Sequence, residues 1–411
     1  MPQVQLGLRE NWKQFWLLVF INALVGGMIG LERTLLPEIA VKDFHLTSTS
    51  VILSFIIVFG LFKAVTNYFT GALANRFGRK NLLVFGWLIG LPVPLLLMYA
   101  NSWNWVIVAN VLLGINQGLT WSSTVVMKID LVGEKERGFA MGLNEFAGYG
   151  MLGLVAFSTS IIANKYGLRP YPFIIGIGFA VAGLLLSFFL VKDTRGHVQK
   201  EGRQTGNVPL LKNVFKETTW LNHNLGSVTQ AGLINNLNDA MIWGIMPVLL
   251  AQRGFGIEQI GIITAVYPAV WGLGQLVTGK LADIYCKKDL LFWGMLLQGI
   301  AIILIIFSNT IIHYITLSVI LGIGTSIVYP AFLASIADDT NPQQRAKSLG
   351  VFRFWRDLGY VIGALLTGVF TDFFSIGFSI AFIGVLTIIS SVVIVYRMKC
   401  KAQAKRILKI A

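Results

Sequence analysis

Arg353, Arg356, Asp357 and Tyr360 fall at i, i+3, i+4 and i+7 of one long, mostly apolar run. A helix would place them on a single stripe. Two guanidinium groups within one turn repel each other. Asp357 can compensate one, leaving the other to hold an anionic group through its planar fork of donors. Similar stripes recur along the chain. One runs Asn110, Gly114, Gln117, Trp121, Thr124 and Lys128; a second runs Gly232, Asn235 or Asn236, Asp239 and Trp243. Tyr267, Trp271 and Gln275 make a third, and Glu145 precedes Tyr149 by about one turn. Glu32 and Arg33 are adjacent, and Lys63 stands alone in its run.

Two kinds of chemistry follow from these residue types. Arg33, Gln117, Trp121, Asn236, Trp243, Tyr267, Trp271, Arg353, Arg356 and Tyr360 are the candidates for binding a small solute. Glu32, Glu145, Asp239 and Asp357 are the candidates for proton coupling, because a carboxylate held away from both water and cations can exchange protons with its surroundings. A structural account stands beside each assignment. Lys63 can snorkel towards an interface, Glu32 and Arg33 can pair locally, and the tryptophans can fill space between helices.

The elements that carry these residues are apolar. The chain has 411 residues, 55% hydrophobic and 13% charged, where a soluble globule has roughly 25% charged residues. Runs near the spanning length are expected at 14–37, 48–70, 81–100, 104–128, 138–163, 172–191, 225–251, 258–279, 289–307, 311–334, 346–370 and 375–396. The expected fold is therefore all-α, with twelve transmembrane helices. The first span lacks the cleavage pattern of a signal peptide and is read as retained. Eight charges fall within spans. At roughly 2.5–3.5 kcal/mol each, leaving all eight unpaired in lipid would cost about 20–28 kcal/mol, more than a typical stability of about 5–15 kcal/mol. They must be paired, hydrated or close to an interface. Spans three, six, nine and twelve hold no charge in their cores, so the polar stripes are segregated onto particular helices.

The formal charge of +14 is a matter of topology rather than of nucleic-acid binding. Of the 33 Lys and Arg residues, 25 lie on the side of the two termini, four on the opposite side (Lys42, Lys165, Arg169 and Arg253) and four within spans. The positive-inside rule then puts both termini in the cytoplasm, and the basic tail beside anionic lipid. A single cysteine introduced at Gly206 is accordingly expected to react with an impermeant maleimide only after the membrane is permeabilised. Labelling in intact cells would invert the topology.

The longest polar stretch divides the chain into an N-terminal half (1–191), a central loop (192–224) and a C-terminal half with a basic tail (225–411). The halves repeat. Adding 208 carries Gly71 to Gly279, Lys80 to Lys288, Gly114 to Gly322, Trp121 to Tyr329, Asp130 to Asp338 and Gly142 to Gly350. "GALANRFGRK" at 71–80 therefore has a partner in "GKLADIYCKK" at 279–288.

Twelve spans in two pseudo-symmetric halves, with Gly71, Arg76, Gly78, Arg79 and Lys80 between spans two and three, resemble the major facilitator superfamily. Asn75 stands where that family usually has an acid. The second copy keeps an acid at Asp283 but has Cys286 and Lys287 in place of glycine and arginine. The resemblance implies a gating loop formed by Gly71, Asn75, Arg76, Gly78, Arg79 and Asp283. It also implies a central cavity ringed by helices one, four, seven and ten, with two, five, eight and eleven flanking it.

The expected activity is alternating-access transport of a small polar or anionic solute, coupled to an ion such as the proton. Efflux of amphipathic compounds through an aromatic-lined cavity is the alternative. No G-x-x-x-x-G-K-[ST] loop is present for direct ATP drive, and no cluster of nucleophile and base suggests an enzyme. The partners expected are the solute, the coupling ion and the bilayer, with no nucleic acid, no cofactor and a monomeric chain. The four histidines are scattered, and Cys286 and Cys400 lie on separate segments of the expected cytoplasmic face. Neither a metal site nor a disulfide is expected.

Overall fold

The computed structural model describes residues 5–132, 137–197, 210–340 and 342–400. Within these it describes all side chains except those of 71–76, 137–139, 283–284, 337, 342–343 and 345–346. Among the described residues there is no strand. The helices used below are α1 (Trp12–Arg33), α2 (Ser54–Phe77), α3 (Arg79–Gly90, continued as Pro92–Tyr99), α4 (Trp103–Val132), α5 (Arg137–Tyr166) and α6 (Ile174–Phe189). The second half holds α7 (His223–Gln252), α8 (Ile257–Ile284), α9 (Lys287–Ile305), α10 (Ile311–Asp339), α11 (Pro342–Phe373) and α12 (Ile376–Arg397).

Nine helical stretches among the described residues are long and apolar enough to cross a membrane. The other three expected spans are also helical, but α2, α4 and α11 carry Lys63, Asn110, Gln117, Arg353, Arg356 and Asp357, and their apolar windows are shorter or less hydrophobic. The helices that read least like membrane spans are thus those that bring polar groups inside. Several helix starts follow local rules. Asn222, Thr310 and Ser375 cap α7, α10 and α12, each accepting a backbone N–H with its side-chain oxygen, as these residue types do at N-caps.

Small residues set the helix crossings, as expected where no hydrophobic force acts between helices in lipid. A Cβ added at Gly114 of α4 would lie 2.6 Å from the Phe59 carbonyl oxygen of α2. A Cβ at Gly322 of α10 would lie 2.9 Å from the Tyr267 carbonyl oxygen of α8. Both members of this close approach are related by the offset of 208, so the sequence repeat is also a packing repeat.

The halves meet along two seams. In one, α5 packs on α8, where a Cβ at Gly153 would lie 2.8 Å from the Ala265 carbonyl oxygen. In the other, α2 packs on α11, and a Cβ at Gly60 would lie 2.6 Å from that of Tyr360. On the side away from the termini this second seam is latched. Asp372 of α11 accepts hydrogen bonds from Ser48 Oγ (2.9 Å), the Thr49 N–H (2.7 Å) and the Ser50 N–H (3.0 Å).

The expectation that the cysteines stay apart is overturned: Cys286 and Cys400 are joined in a disulfide, with Cα atoms 5.8 Å apart. The chain leaving α12 turns back beside the α8–α9 connection, and the Lys399 N–H is held by Asn224 Oδ1 at 2.9 Å. A sequence separation of 114 residues conceals that proximity.

Candidate functional site

Helices α1, α2, α4, α5, α7, α8, α10 and α11 converge on one buried polar and aromatic region. Arg33, the last residue of α1, is fully buried there. The guanidinium carbon lies 4.8 Å from the Phe59 ring centre, 4.9 Å from Trp243, and 5.9 Å from both Phe55 and Tyr360. Glu32 Oε1 is 4.0 Å away, and none of the three guanidinium nitrogens has a hydrogen-bond partner. Aromatic faces therefore supply much of its neutralising environment, and cation–π attraction strengthens when the cation is out of water.

Asp239 occupies the next layer. The Tyr267 hydroxyl donates to Asp239 Oδ1 and lies 3.2 Å from Thr325 Oγ1. The second oxygen, Oδ2, is buried without a partner. Arg33 and Asp239 do not form an ion pair among the described residues.

Arg356 enters from α11, with its guanidinium 4.7 Å from the Tyr329 ring and 5.9 Å from Trp271. Trp271 stacks on Tyr149 at 3.5 Å, and Tyr149 meets Trp121 at 5.2 Å. Trp121 Nε1 (3.2 Å) and Asn144 Nδ2 (2.8 Å) both donate to Glu145 Oε1. Glu145 Oε2 and the Nε and Nη2 of Arg356 are buried without partners. Among the described residues no carboxylate oxygen stands within 4.0 Å of Arg356.

Spacing along α11 alone pairs Asp357 with an arginine of its own helix. The structure pairs it with Lys63 of α2 at 3.5 Å instead. Asn67 Nδ2 donates to Asp357 Oδ2 at 2.5 Å, Ser122 Oγ donates to Asn67 Oδ1 at 2.5 Å, and Arg353 Nη1 donates to Ser122 Oγ at 3.2 Å. This chain of bonds joins α11 of one half to α2 and α4 of the other. The expected double-arginine site is thereby divided, because three residues along a helix turn Arg353 about 60° from Arg356. Arg353 reaches α4, and Arg356 enters the aromatic pocket.

Other expectations separate in the same way. Trp121, Trp243, Tyr267, Trp271 and Tyr360 all line the converging region. Gln117 is tied by its amide nitrogen, Nε2 donating to the Val25 carbonyl (2.9 Å) and to Asn116 Oδ1 (3.2 Å), which joins α4 to α1, while its Oε1 is buried without a partner. Asn236 is buried where α7 crosses α11, and a Cβ at Gly359 would meet its Cβ at 2.9 Å. Phe59, Tyr149, Thr325 and Tyr329 were not among the binding candidates. The repeat held a signal for two of them, since the offset carries Phe59 to Tyr267 and Trp121 to Tyr329.

Access is uneven. Trp121, Ser122 and Arg356 keep 8, 5 and 5% exposure, whereas Arg33, Asp239 and Trp271 keep none.

Of the gating-loop residues, Gly78 and Arg79 are described. Gly78 has φ +89°, and a Cβ there would lie 2.6 Å from Asp193 Oδ2. Both facts require glycine. Burial pushes the Asp193 carboxyl up, but hydrogen bonds from the Arg195 and Lys80 N–H groups and the Arg195 guanidinium outweigh it and hold the group below its ordinary range. Arg79 Nε pairs with Asp130 Oδ2 at 3.0 Å. The side chains of Asn75, Arg76 and Asp283, and the surroundings of Gly71 within α2, lie outside the described residues.

The family model described as "Major Facilitator Superfamily" matches residues 15–226 and 228–408. The "Multidrug resistance protein MdtG" of Salmonella choleraesuis and that of Citrobacter koseri are each 24% identical over 375 residues, covering 87% of this chain and 88% of theirs. The solved structure of the "human organic anion transporter MFSD10 (TETRAN)" superposes with a TM-score of 0.72 at 14% identity, covering 93% of this chain and 99% of the other. That likeness is one of fold.

Proposed function

The chain belongs to the Major Facilitator Superfamily and is a multi-pass membrane transporter, and from that premise we propose that it exports amphipathic organic anions by alternating access. The observation that carries the substrate class is Arg356: a buried cation between Tyr329 and Trp271, with two nitrogens free and no carboxylate at pairing distance. An acidic group of the solute would complete those nitrogens, and its apolar body would lie against Trp271, Tyr149 and Trp121. A buried donor left without a partner is costly, so the site favours a ligand that brings an acceptor. The multidrug relatives support export of amphipathic molecules. The Asp372 latch, which closes the α2–α11 seam on the side away from the termini, suits a carrier that loads from the cytoplasm when the termini are cytoplasmic. Two halves rocking about a midplane site are the mechanical premise of such carriers.

Proteoliposomes loaded with paired anionic and cationic forms of one amphipathic fluorophore test this reading. Arg356→Gln is expected to weaken binding of the anionic form roughly ten- to a hundredfold, the scale of a charge-assisted hydrogen bond. Arg356→Lys should recover part of it, because a point charge cannot reproduce the two-toothed fork. Undiminished transport of the anion by Arg356→Gln would overturn the substrate class. A preference for the cationic form would move recognition to Glu145.

A further inference from the structure

The two ends of the repeat are closed by different chemistry. In the first half the chain leaving α6 covers the α2–α3 connection: Asp193 Oδ2 accepts the Lys80 N–H at 3.2 Å, and Thr194 Oγ1 donates to Asp130 at 2.6 Å. Arg79 pairs with that same Asp130. Adding 208 to Gly78, Arg79 and Asp130 gives Cys286, Lys287 and Asp338. The ion pair recurs, with Lys287 Nζ 2.8 Å from Asp338 Oδ2. The chain leaving α12 takes the place of Asp193, but brings the sulfur of Cys400 to that of Cys286. A third donor faces them. Asp289 sits in the first turn of α9, and one oxygen of its carboxylate and the two sulfurs lie within 4.8 Å of one another. Among the described residues no other three His, Cys, Asp or Glu side chains converge in this way.

We propose that Cys286, Cys400 and Asp289, with the cysteines reduced, form a binding site for a borderline-soft divalent cation of the zinc class. Two thiolates and one carboxylate are three of the four ligands such an ion takes, and water supplies the fourth. The chemistry balances in two steps. A dithiol reductant delivers two electrons and two protons to the disulfide, giving two thiols and leaving the reductant oxidised. The metal ion then displaces both thiol protons to solvent as the sulfurs bind. Lys287, Lys288 and Lys399 line the same pocket as the two cysteines, and neighbouring cations favour the thiolate form. On a cytoplasmic face the reduced pair is the prevailing state, and there a cysteine constellation more often serves a metal than a structural disulfide. Metal and disulfide are then alternative fasteners of one corner, tying the tail to the α8–α9 connection. Asp289 also suits a helix N-terminus by charge, and the Asp289→Asn variant separates that role from metal binding.

The test uses the full chain in detergent and does not depend on the substrate reading. After treatment with a phosphine reductant, wild type is expected to bind about one cadmium ion per chain with a thiolate-to-metal ultraviolet band, and zinc should compete it away. Cys286→Ser and Cys400→Ser should each abolish the band, and Asp289→Asn should weaken affinity at least about tenfold. The oxidised protein should bind none until reduced. A reduced wild type with two titratable thiols and no band would overturn the site. So would a band that persists in Cys286→Ser/Cys400→Ser, or an Asp289→Asn variant with unchanged affinity.

Discussion

Asp239→Asn is expected to abolish substrate accumulation driven by a pH gradient while leaving exchange of labelled for unlabelled substrate intact. The geometry separates two roles for this carboxylate. Its Oδ1 is held by the Tyr267 hydroxyl, which fixes the side chain on the seam of α7 and α8. Its Oδ2 is buried and has no donor, and an ionised oxygen in that position is costly. An incoming proton relieves that cost without disturbing the Tyr267 bond. No ion pair with Arg33 competes for the oxygen, so protonation does not first have to break a salt bridge. Asparagine keeps the size of the side chain and an acceptor for Tyr267 but cannot carry the exchangeable proton, so binding and rocking survive while coupling is lost. Tyr267→Phe is the companion variant: it keeps the ring and frees Oδ1, and should reduce coupling less than Asp239→Asn does. Measured in proteoliposomes, full gradient-driven accumulation by Asp239→Asn would remove this residue from the coupling mechanism. A joint fall of accumulation, exchange and folded yield would assign it to structure instead.

How much of this could be read from the residues differs between the fold and the site. Helical spacing and charge asymmetry suffice for an all-α membrane architecture, because the period of 3.6 and the expense of charge in lipid act locally. The repeat reaches further. One offset relates the Gly114–Phe59 approach to the Gly322–Tyr267 approach, and the Arg79–Asp130 pair to the Lys287–Asp338 pair. What escapes is the choice of partner across helices. Arg353 and Arg356 share a stripe, yet one bonds Ser122 on α4 and the other enters a pocket made by α8 and α10. Asp357 has an arginine beside it in sequence and pairs with Lys63 from the other half. Local spacing says which residues face inward, and only the crossing of two helices says whom they meet. Gln117 shows the same limit, since its amide nitrogen meets a backbone carbonyl of α1 that the stripe does not foretell. Cys286 and Cys400 are the extreme case, separated in sequence and adjacent in space.

The Lys63–Asp357 pair yields the second large effect, because it binds the two halves to each other inside the bundle. Removing one partner of a buried pair costs about 3–5 kcal/mol, chiefly through the charge left behind. Asp357→Ala should therefore destabilise the protein by about that amount, seen as a lower midpoint in thermal or denaturant unfolding in detergent. The loss is not the worth of the pair itself. Lys63 Nζ also lies 5.3 Å from the Tyr360 ring and 5.6 Å from Phe59, and those faces offset only part of an orphaned ammonium. The neutral double variant Lys63→Gln/Asp357→Asn removes both charges, keeps a bond available to Asn67, and should recover most of the stability. Function should not recover with it. The pair, together with Asn67, Ser122 and Arg353, joins α11 to α2 and α4 across the interface that the proposed alternating access would open and close. A charged tie in low dielectric favours the closed arrangement more than a neutral one does. The double variant is accordingly expected to fold well yet transport at an altered rate, with α2 and α11 separating more readily in spin-label distance measurements. A loss in the double variant equal to the sum of the losses in Lys63→Gln and Asp357→Asn would show that the two residues act independently rather than as a charge pair, because additive effects are what independent sites give.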